Sequence, residues 1–395
     1  MSSRTQFIRN KLLFVALALV TAQWGLAEET RTIDQLTEEG LRASKIYFEE
    51  TSFADLAAPL TGQRFPRPVP MGSSISSTPT LPFISAGTAG LRVSSLFNPD
   101  VKFILSNNHV MGAVGPTLCP NTAPAGTWIL QPGTLDIQLD PGQSPFYVVG
   151  VLARTIPIDF SLLATNLVDA SIALTNTQLA SEEIFDVGIP TAQLAFPSPG
   201  MEVIKSGRTT DVTTGVVDAV NVTVLVNYGA DCGTARFVGQ TIITPGTFSD
   251  SGDSGSVILD QETNAPVALL FAGGPFSTIA SPIHFVYLLF GVAPDGTAPD
   301  SSFSAEELLE RSRRALPPRI RALAQIQARR EADVMRLRGV HGMGIGRVPG
   351  EKELGFVIYT KRLSSQLRQL VQDRIEGVPV HIVETEEFVA YKALK

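Results

Sequence analysis

The sequence predicts a mainly β protein: two small antiparallel barrels, then a helical segment and a compact α/β module. Three observations lead there. Between about residues 84 and 291, short apolar runs rich in β-branched residues alternate with Gly, Pro, Asn and Asp. Ten or more such runs in about 200 residues fit two small barrels better than one sheet. Gly (33) and Pro (27) are plentiful among the 395 residues, whereas only 17% are charged, below the roughly 25% of an average soluble chain.

Taken in order, residues 1–27 read as an export signal. Arg4, Arg9 and Lys11 precede the apolar run Leu12–Val20, and Gly25-Leu26-Ala27 offers small residues for cleavage. The run is far shorter than the roughly 20 residues of a spanning helix, so a stable membrane span is not expected once the signal is removed. Residues 28–83 hold an amphipathic helix and a Pro-rich stretch, Arg64–Pro70, serving either as a strap on the barrel or as a pro-segment. The barrels follow at about 84–195 and 196–302. Ser304-Ala305-Glu306-Glu307 then has the form of a helix start, opening an Arg-rich helical linker over 303–338 that Pro317-Pro318 interrupts. Residues 339–395 suggest a small α/β module in the order strand, strand, helix, strand: Val340–Ile345, Gly355–Thr360, Ser364–Ile375 and Val378–Val383.

Composition excludes several function classes. A net charge of −7 lacks the basic footprint of a nucleic-acid binder, and 44% hydrophobic content argues against disorder. No HExxH motif or Cys/His cluster offers a metal site, and no cofactor is expected. Gly342-Met343-Gly344-Ile345-Gly346 lacks the spacing and acidic partner of a dinucleotide fingerprint and reads as a Gly-rich turn. Two cysteines cannot form a disulfide framework. Export would permit a Cys119–Cys232 bridge, but two separate thiols are equally compatible with the sequence.

Three segments carry the residues of a nucleophilic hydrolase. Leu105-Ser106-Asn107-Asn108-His109-Val110 ends one apolar strand with a histidine, and Val168-Asp169-Ala170-Ser171-Ile172 opens another with an aspartate. Ser251-Gly252-Asp253-Ser254-Gly255-Ser256 sets a serine in a glycine-flanked turn. A serine hydroxyl needs an adjacent base to act as a nucleophile. The glycines let the backbone turn sharply, so the Gly252 and Ser254 N–H groups can converge on a developing oxyanion. His284, His341 and His381 lie in other contexts, so His109 is the candidate base. Asp159 is a rival for the acid, but a buried-strand sequence follows Asp169.

The order His, Asp, Ser with Gly-Asp-Ser-Gly around the serine resembles the trypsin-like serine peptidases, whose chymotrypsin fold pairs two six-stranded antiparallel barrels. The Asn-Asn-His-Val motif is similar to a plant and bacterial branch. Gly207-Arg208-Thr209-Thr210 resembles the hairpin opening the second barrel, and Leu269–Gly274 with Ala280–Ile283 resembles the substrate-binding strand and its return. The resemblance implies an exported serine endopeptidase acting on a peptide or protein substrate: Ser254 as nucleophile, His109 as base, Asp169 as its orienter, and Gly252 and Ser254 as the oxyanion hole. It places Phe248 at the base of the primary pocket, Asp250 beside it, and Gly273 and Gly274 on an open wall. A neutral base implies apolar or small preferences, unless Asp250 takes that place. The basic-Ile-Val-Gly-Gly activation site is missing, so Asp253 is not expected to pair with a freed N-terminus. The alternative is a catalytically inactive member of the fold that binds peptides or envelope components.

Charge is unevenly distributed. Residues 66–302 carry 7 basic and 18 acidic side chains, a net of −11, while 303–395 carry 17 and 12, a net of +5. Electrostatic docking of the C-terminal part on the barrels is therefore expected, with a dependence on salt.

Overall fold

The computed structural model describes residues 62–78, 83–137, 146–161, 164–295, 316–391 and 393–394. The expected signal, the amphipathic helix before residue 60 and the helix start at Ser304 lie outside these residues. No helix among the described residues is long and apolar enough to cross a membrane.

The architecture is mainly β, with antiparallel sheets. The first half contains β1 (Val69–Met71), β2 (Ser74–Ser77), β3 (Ser85–Thr88), β4 (Leu91–Ser95), β5 (Lys102–Ser106), β6 (Trp128–Leu130), β7 (Val148–Thr155), β8 (Ser171–Thr175) and β9 (Ala180–Ile184). Neighbours run β4-β5-β8-β7-β6-β2-β3, and β3 leads straight into β4 through Ala89-Gly90, which returns the order to its start. Gly90 is required at that bend: a Cβ would strike the Gly255 carbonyl oxygen of the second barrel. The Pro-rich stretch lies on this barrel, with β1 pairing β9 in parallel, Arg67 donating to Val148 O at 2.7 Å and Phe65 packed on Phe185.

The second half contains β10 (Glu202–Gly207), β11 (Asp211–Asn227), β12 (Thr234–Thr244), β13 (Val257–Asp260), β14 (Pro266–Gly274) and β15 (Ser277–Pro282). The order β10-β13-β14-β15-β12-β11 closes by a β10–β11 pairing, so the six strands form a ring. Helix α1 (Asn108–Met111) is a single turn after β5, and α2 (Ile283–Phe290) packs on β14 and β15. Strand β14 is buried along nearly all its length because the barrel core and α2 cover both faces. Each fully buried Leu, Ile or Phe there contributes roughly 1.5–3 kcal/mol. β16 (Val292–Pro294) returns to β4, where Asp295 pairs with Arg92 and Lys102, both at 2.5 Å.

Helix α3 begins at Pro318 and runs to Met335, using proline where the missing N–H costs least. Strands β17 (Val340–Arg347), β18 (Leu354–Thr360) and β19 (Val380–Glu384) follow, with α4 (Ser365–Asp373) before β19. Ser364 caps α4 by accepting from the Leu367 N–H at 3.2 Å. β17 pairs antiparallel with β11, so this sheet continues the second barrel's own sheet. The Gly342–Gly346 run is therefore part of a strand, as expected for Val340–Ile345, and not the Gly-rich turn its glycines also suggest. Its glycines are needed for close approach: a Cβ at Gly344 would lie 2.5 Å from Val222 Cγ2 on β11. Two short strands end the chain, β20 (Phe388–Ala390) and β21 (Ala393–Leu394).

Charge acts both across and within the boundary: the barrel's Asp218 feels the positive charge of Arg347, while the C-terminal part also forms ion pairs of its own. Its arginines pair largely with its own acids, as in Arg330–Glu376 at 2.9 Å and Arg374–Glu351 at 2.6 Å. The Arg236–Glu331 pair at 2.6 Å does cross to the barrel, but with the signs reversed from expectation, a barrel base meeting a C-terminal acid.

Candidate active site

The turn α1 carries His109 from the end of β5 into the space between the barrels, and all four of its residues are buried. His109 Nδ1 lies 2.5 Å from Asp169 Oδ2. A carboxylate accepts, so this contact assigns the proton to Nδ1 and leaves Nε2 with its lone pair. Nε2 is buried and has no partner among the described residues.

Asp169 is itself fully buried, which is tolerable only if its oxygens are satisfied. Oδ1 accepts from the Asn108 and His109 N–H groups at 2.7 and 3.2 Å, and Oδ2 also accepts from the Tyr228 hydroxyl at 2.8 Å. Burial, reinforced by the Asp169 charge, holds the Tyr228 phenol well above its ordinary pKa, so it remains a donor. Its ring also meets His109 edge-on, with centroids 5.9 Å apart. Asp159 lies apart from this cluster, in a loop where its Oδ1 accepts from Ser161 N.

Ser254 sits in the turn before β13. Gly252 and Gly255 have φ of +103° and +96°, which side chains disfavour. A Cβ at Gly255 would also overlap Ser106 Oγ and the Thr88 carbonyl. Asp253 points inward and organises the turn. Its carboxylate accepts from Thr209 N (2.7 Å), Thr210 N (3.1 Å), Thr210 Oγ1 (2.7 Å) and Asp250 N (2.9 Å). Lys205 Nζ, equally buried, is 3.4 Å away. Burial lowers the Lys205 pKa, while Asp253 pulls it back up. The Gly207–Thr210 hairpin thus clamps the serine turn, and Asp253 has an internal cation as its partner.

The two barrels meet at Gly87 on β3. A Cβ there would lie 2.5 Å from Val110 Cγ2, next to His109, and 3.1 Å from the Ser254 carbonyl oxygen. Thr88 N donates to that carbonyl at 2.7 Å. The N–H groups of Gly252 and Ser254 donate to no other group among the described residues. The Ser254 hydroxyl donates to Phe271 O at 3.1 Å rather than to His109.

Phe248 is enclosed in the second barrel's core, with Lys205 Nζ 5.8 Å from its ring centre. Asp250 is exposed at the rim. Gly273 and Gly274 end β14, and a Cβ at Gly273 would overlap the ring and hydroxyl of Tyr391. Cys119 and Cys232 form a disulfide. It ties the loop after α1 to the β11–β12 turn, the turn that Tyr228 enters.

Sequence reasoning missed Lys205, Tyr228 and Tyr391. Lys205 had a legible signal, a lone cation after the apolar pair Val203-Ile204 in a buried strand. Tyr228 and Tyr391 had none, because their partners are 59 residues away at Asp169 and 117 at Gly274.

No protein-family model and no curated protein matches this sequence. Several solved structures are similar over 57% of the chain. Thermobifida fusca Protease A is 16% identical, with 98% of that chain covered and a TM-score of 0.36. A glutamic acid-specific serine protease, described as using a novel histidine triad in substrate binding, is 21% identical, with 100% covered and a TM-score of 0.38. Nocardiopsis protease is 15% identical, with 97% covered and a TM-score of 0.36.

Proposed function

We propose that this chain is a serine endopeptidase that hydrolyses peptide bonds through Ser254, His109 and Asp169. The observation that carries the reading is the buried His109–Asp169 contact. It holds the imidazole in one tautomer and leaves the buried Nε2 unpartnered, in the same chain that sets Ser254 in a glycine-flanked turn. In the reaction, Ser254 Oγ attacks the scissile carbonyl carbon and its proton passes to His109 Nε2. The C–N bond then breaks, the imidazolium protonates the leaving amine, and water hydrolyses the acyl ester by the same route.

Asp169 accepts from Nδ1–H and stabilises the imidazolium. The Gly252 and Ser254 N–H groups receive the oxyanion, each worth about 3–4 kcal/mol in reactions of this kind. The Lys205–Asp253 pair keeps the serine turn in place without an activating cleavage. The signal-like residues 1–27 and the Cys119–Cys232 disulfide support a site of action outside the cytoplasm.

The decisive measurement is hydrolysis of casein or an ester substrate by wild type and by Ser254→Ala. Loss of at least 10³-fold in kcat is expected from removal of the nucleophile, and equal activity would refute the assignment. A second reading, a protease-fold peptide-binding protein without catalysis, draws support from the Ser254 hydroxyl resting on Phe271 O. A natively folded chain that never reacts with a fluorophosphonate at Ser254, in the wild type and in Tyr391→Gly alike, would favour it.

A further inference from the structure

The last described strands of the chain join the two barrels at the strands that bond Ser254. β20 pairs antiparallel with the end of β14, matching Ala272 to Ala390 and Gly273 to Val389. The Tyr391 N–H donates to Phe271 O at 3.1 Å, and this same carbonyl accepts the Ser254 hydroxyl at 3.1 Å. Three residues further on from Ala390 the chain is on the other barrel. β21 pairs antiparallel with β3, matching Ala393 to Ala86 and Leu394 to Ser85. The tail therefore crosses from β14 to β3, the two strands whose carbonyl and N–H groups bond Ser254. An extended peptide held on sheet edges by main-chain bonds, with one side chain in a pocket, is a general mode of peptide recognition.

That side chain is Tyr391, only 6% exposed. Its ring lies over Gly273, where any Cβ would collide with it, and its hydroxyl donates to Gly274 O at 3.3 Å. Ser249, Asp250 and Asp253 are close enough to act on its charge. Burial pushes the phenol up to about 12, the two aspartates add to this, and the neighbouring Ser249 opposes it. The hydroxyl thus stays neutral. A carboxylate in the same place would face two acids. A short aliphatic residue would leave the space over Gly273 empty.

The geometry points to the C-terminal strand as a tethered, substrate-like ligand of this cleft, with Tyr391 filling the primary specificity pocket. The inference rests on the serine-protease reading and adds two things to it. The substrate class becomes peptides with a large aromatic residue, tyrosine above all, just before the cleaved bond. Access to the site becomes conditional, because other peptides enter only when the tail has left.

The test compares fluorophosphonate labelling of Ser254 in the full-length wild type and in Tyr391→Gly. This substitution empties the pocket but keeps Phe388, the fully buried anchor of β20. Labelling is expected to be at least about tenfold faster in the variant. A peptide copying residues 386–395, added in trans, should slow the variant again, whereas the same peptide with Tyr391→Gly should not. Tyrosyl esters should be cleaved by the variant at least about tenfold faster than lysyl or glutamyl esters. Equally fast labelling of both proteins, or no preference for the tyrosyl ester, would overturn the inference and leave the protease reading intact. If neither natively folded protein is labelled, the protease reading fails and the inference goes with it.

Discussion

At the scale of single residues, the site depends on how a buried carboxylate is satisfied. Asp169 is fully buried, so each donor that reaches it fixes both its own place and that of the imidazole. Two of those donors are backbone N–H groups that follow from the α1 turn, but Tyr228 comes from the far end of β11. Tyr228→Phe removes one hydrogen bond to a charged oxygen while keeping the ring against His109. Such bonds are worth about 1.5–3 kcal/mol, so kcat/KM should fall about 10- to 100-fold. The loss should appear in kcat with KM nearly unchanged, since Tyr228 would position the base rather than touch substrate. A fall confined to KM, or none, would remove Tyr228 from the positioning role.

At the scale of elements, glycine placement separates what a sequence displays from what it hides. The turn around Ser254 was legible because Gly252-Asp253-Ser254-Gly255 encodes a local conformation, seen in the positive φ of both glycines. The apolar strands were legible for the same reason, as period and β-branching are local properties. The glycines of Gly342-Met343-Gly344-Ile345-Gly346 suggest a turn locally, but the run is a strand in which Val222, Val224 and Ala219 of β11 and Tyr359 and Val357 of β18 leave no room for side chains. β20 and β21 were not legible at all: strands of three and two residues carry almost no pattern, and their pairing partners lie more than a hundred residues earlier. Gly344→Val tests the crowding. The added side chain would press on Val222, so unfolding free energy should drop by roughly 1–3 kcal/mol in chemical denaturation. Hydrogen exchange should quicken first in β17, and a stability equal to wild type would show that the interface has slack.

At the scale of the whole molecule, an acidic pair of barrels carries a basic C-terminal part, yet sheet continuity joins them. Between β11 and β17 lies a ladder of backbone bonds, and α3 adds neutral contacts: Gln327 donates to Asn221 O at 2.9 Å and to Met343 O at 3.2 Å. Ladder bonds and apolar packing are indifferent to ionic strength, while exposed ion pairs contribute no more than about 1 kcal/mol and are screened. The partly buried Arg236–Glu331 pair crosses the boundary, but it is reinforced by Thr223 Oγ1 donating to Glu331 at 2.8 Å, which salt does not screen. Raising salt from about 0.05 to about 1 M shortens the Debye length to about 3 Å, enough to erase attraction between the two net charges. Amide protection in β17 should nonetheless change by less than about threefold, because opening that ladder exposes apolar surface whose burial salt does not weaken. A loss of protection greater than about tenfold would return the docking to electrostatics and make the opposite charges, rather than the shared sheet, the bond between the two parts.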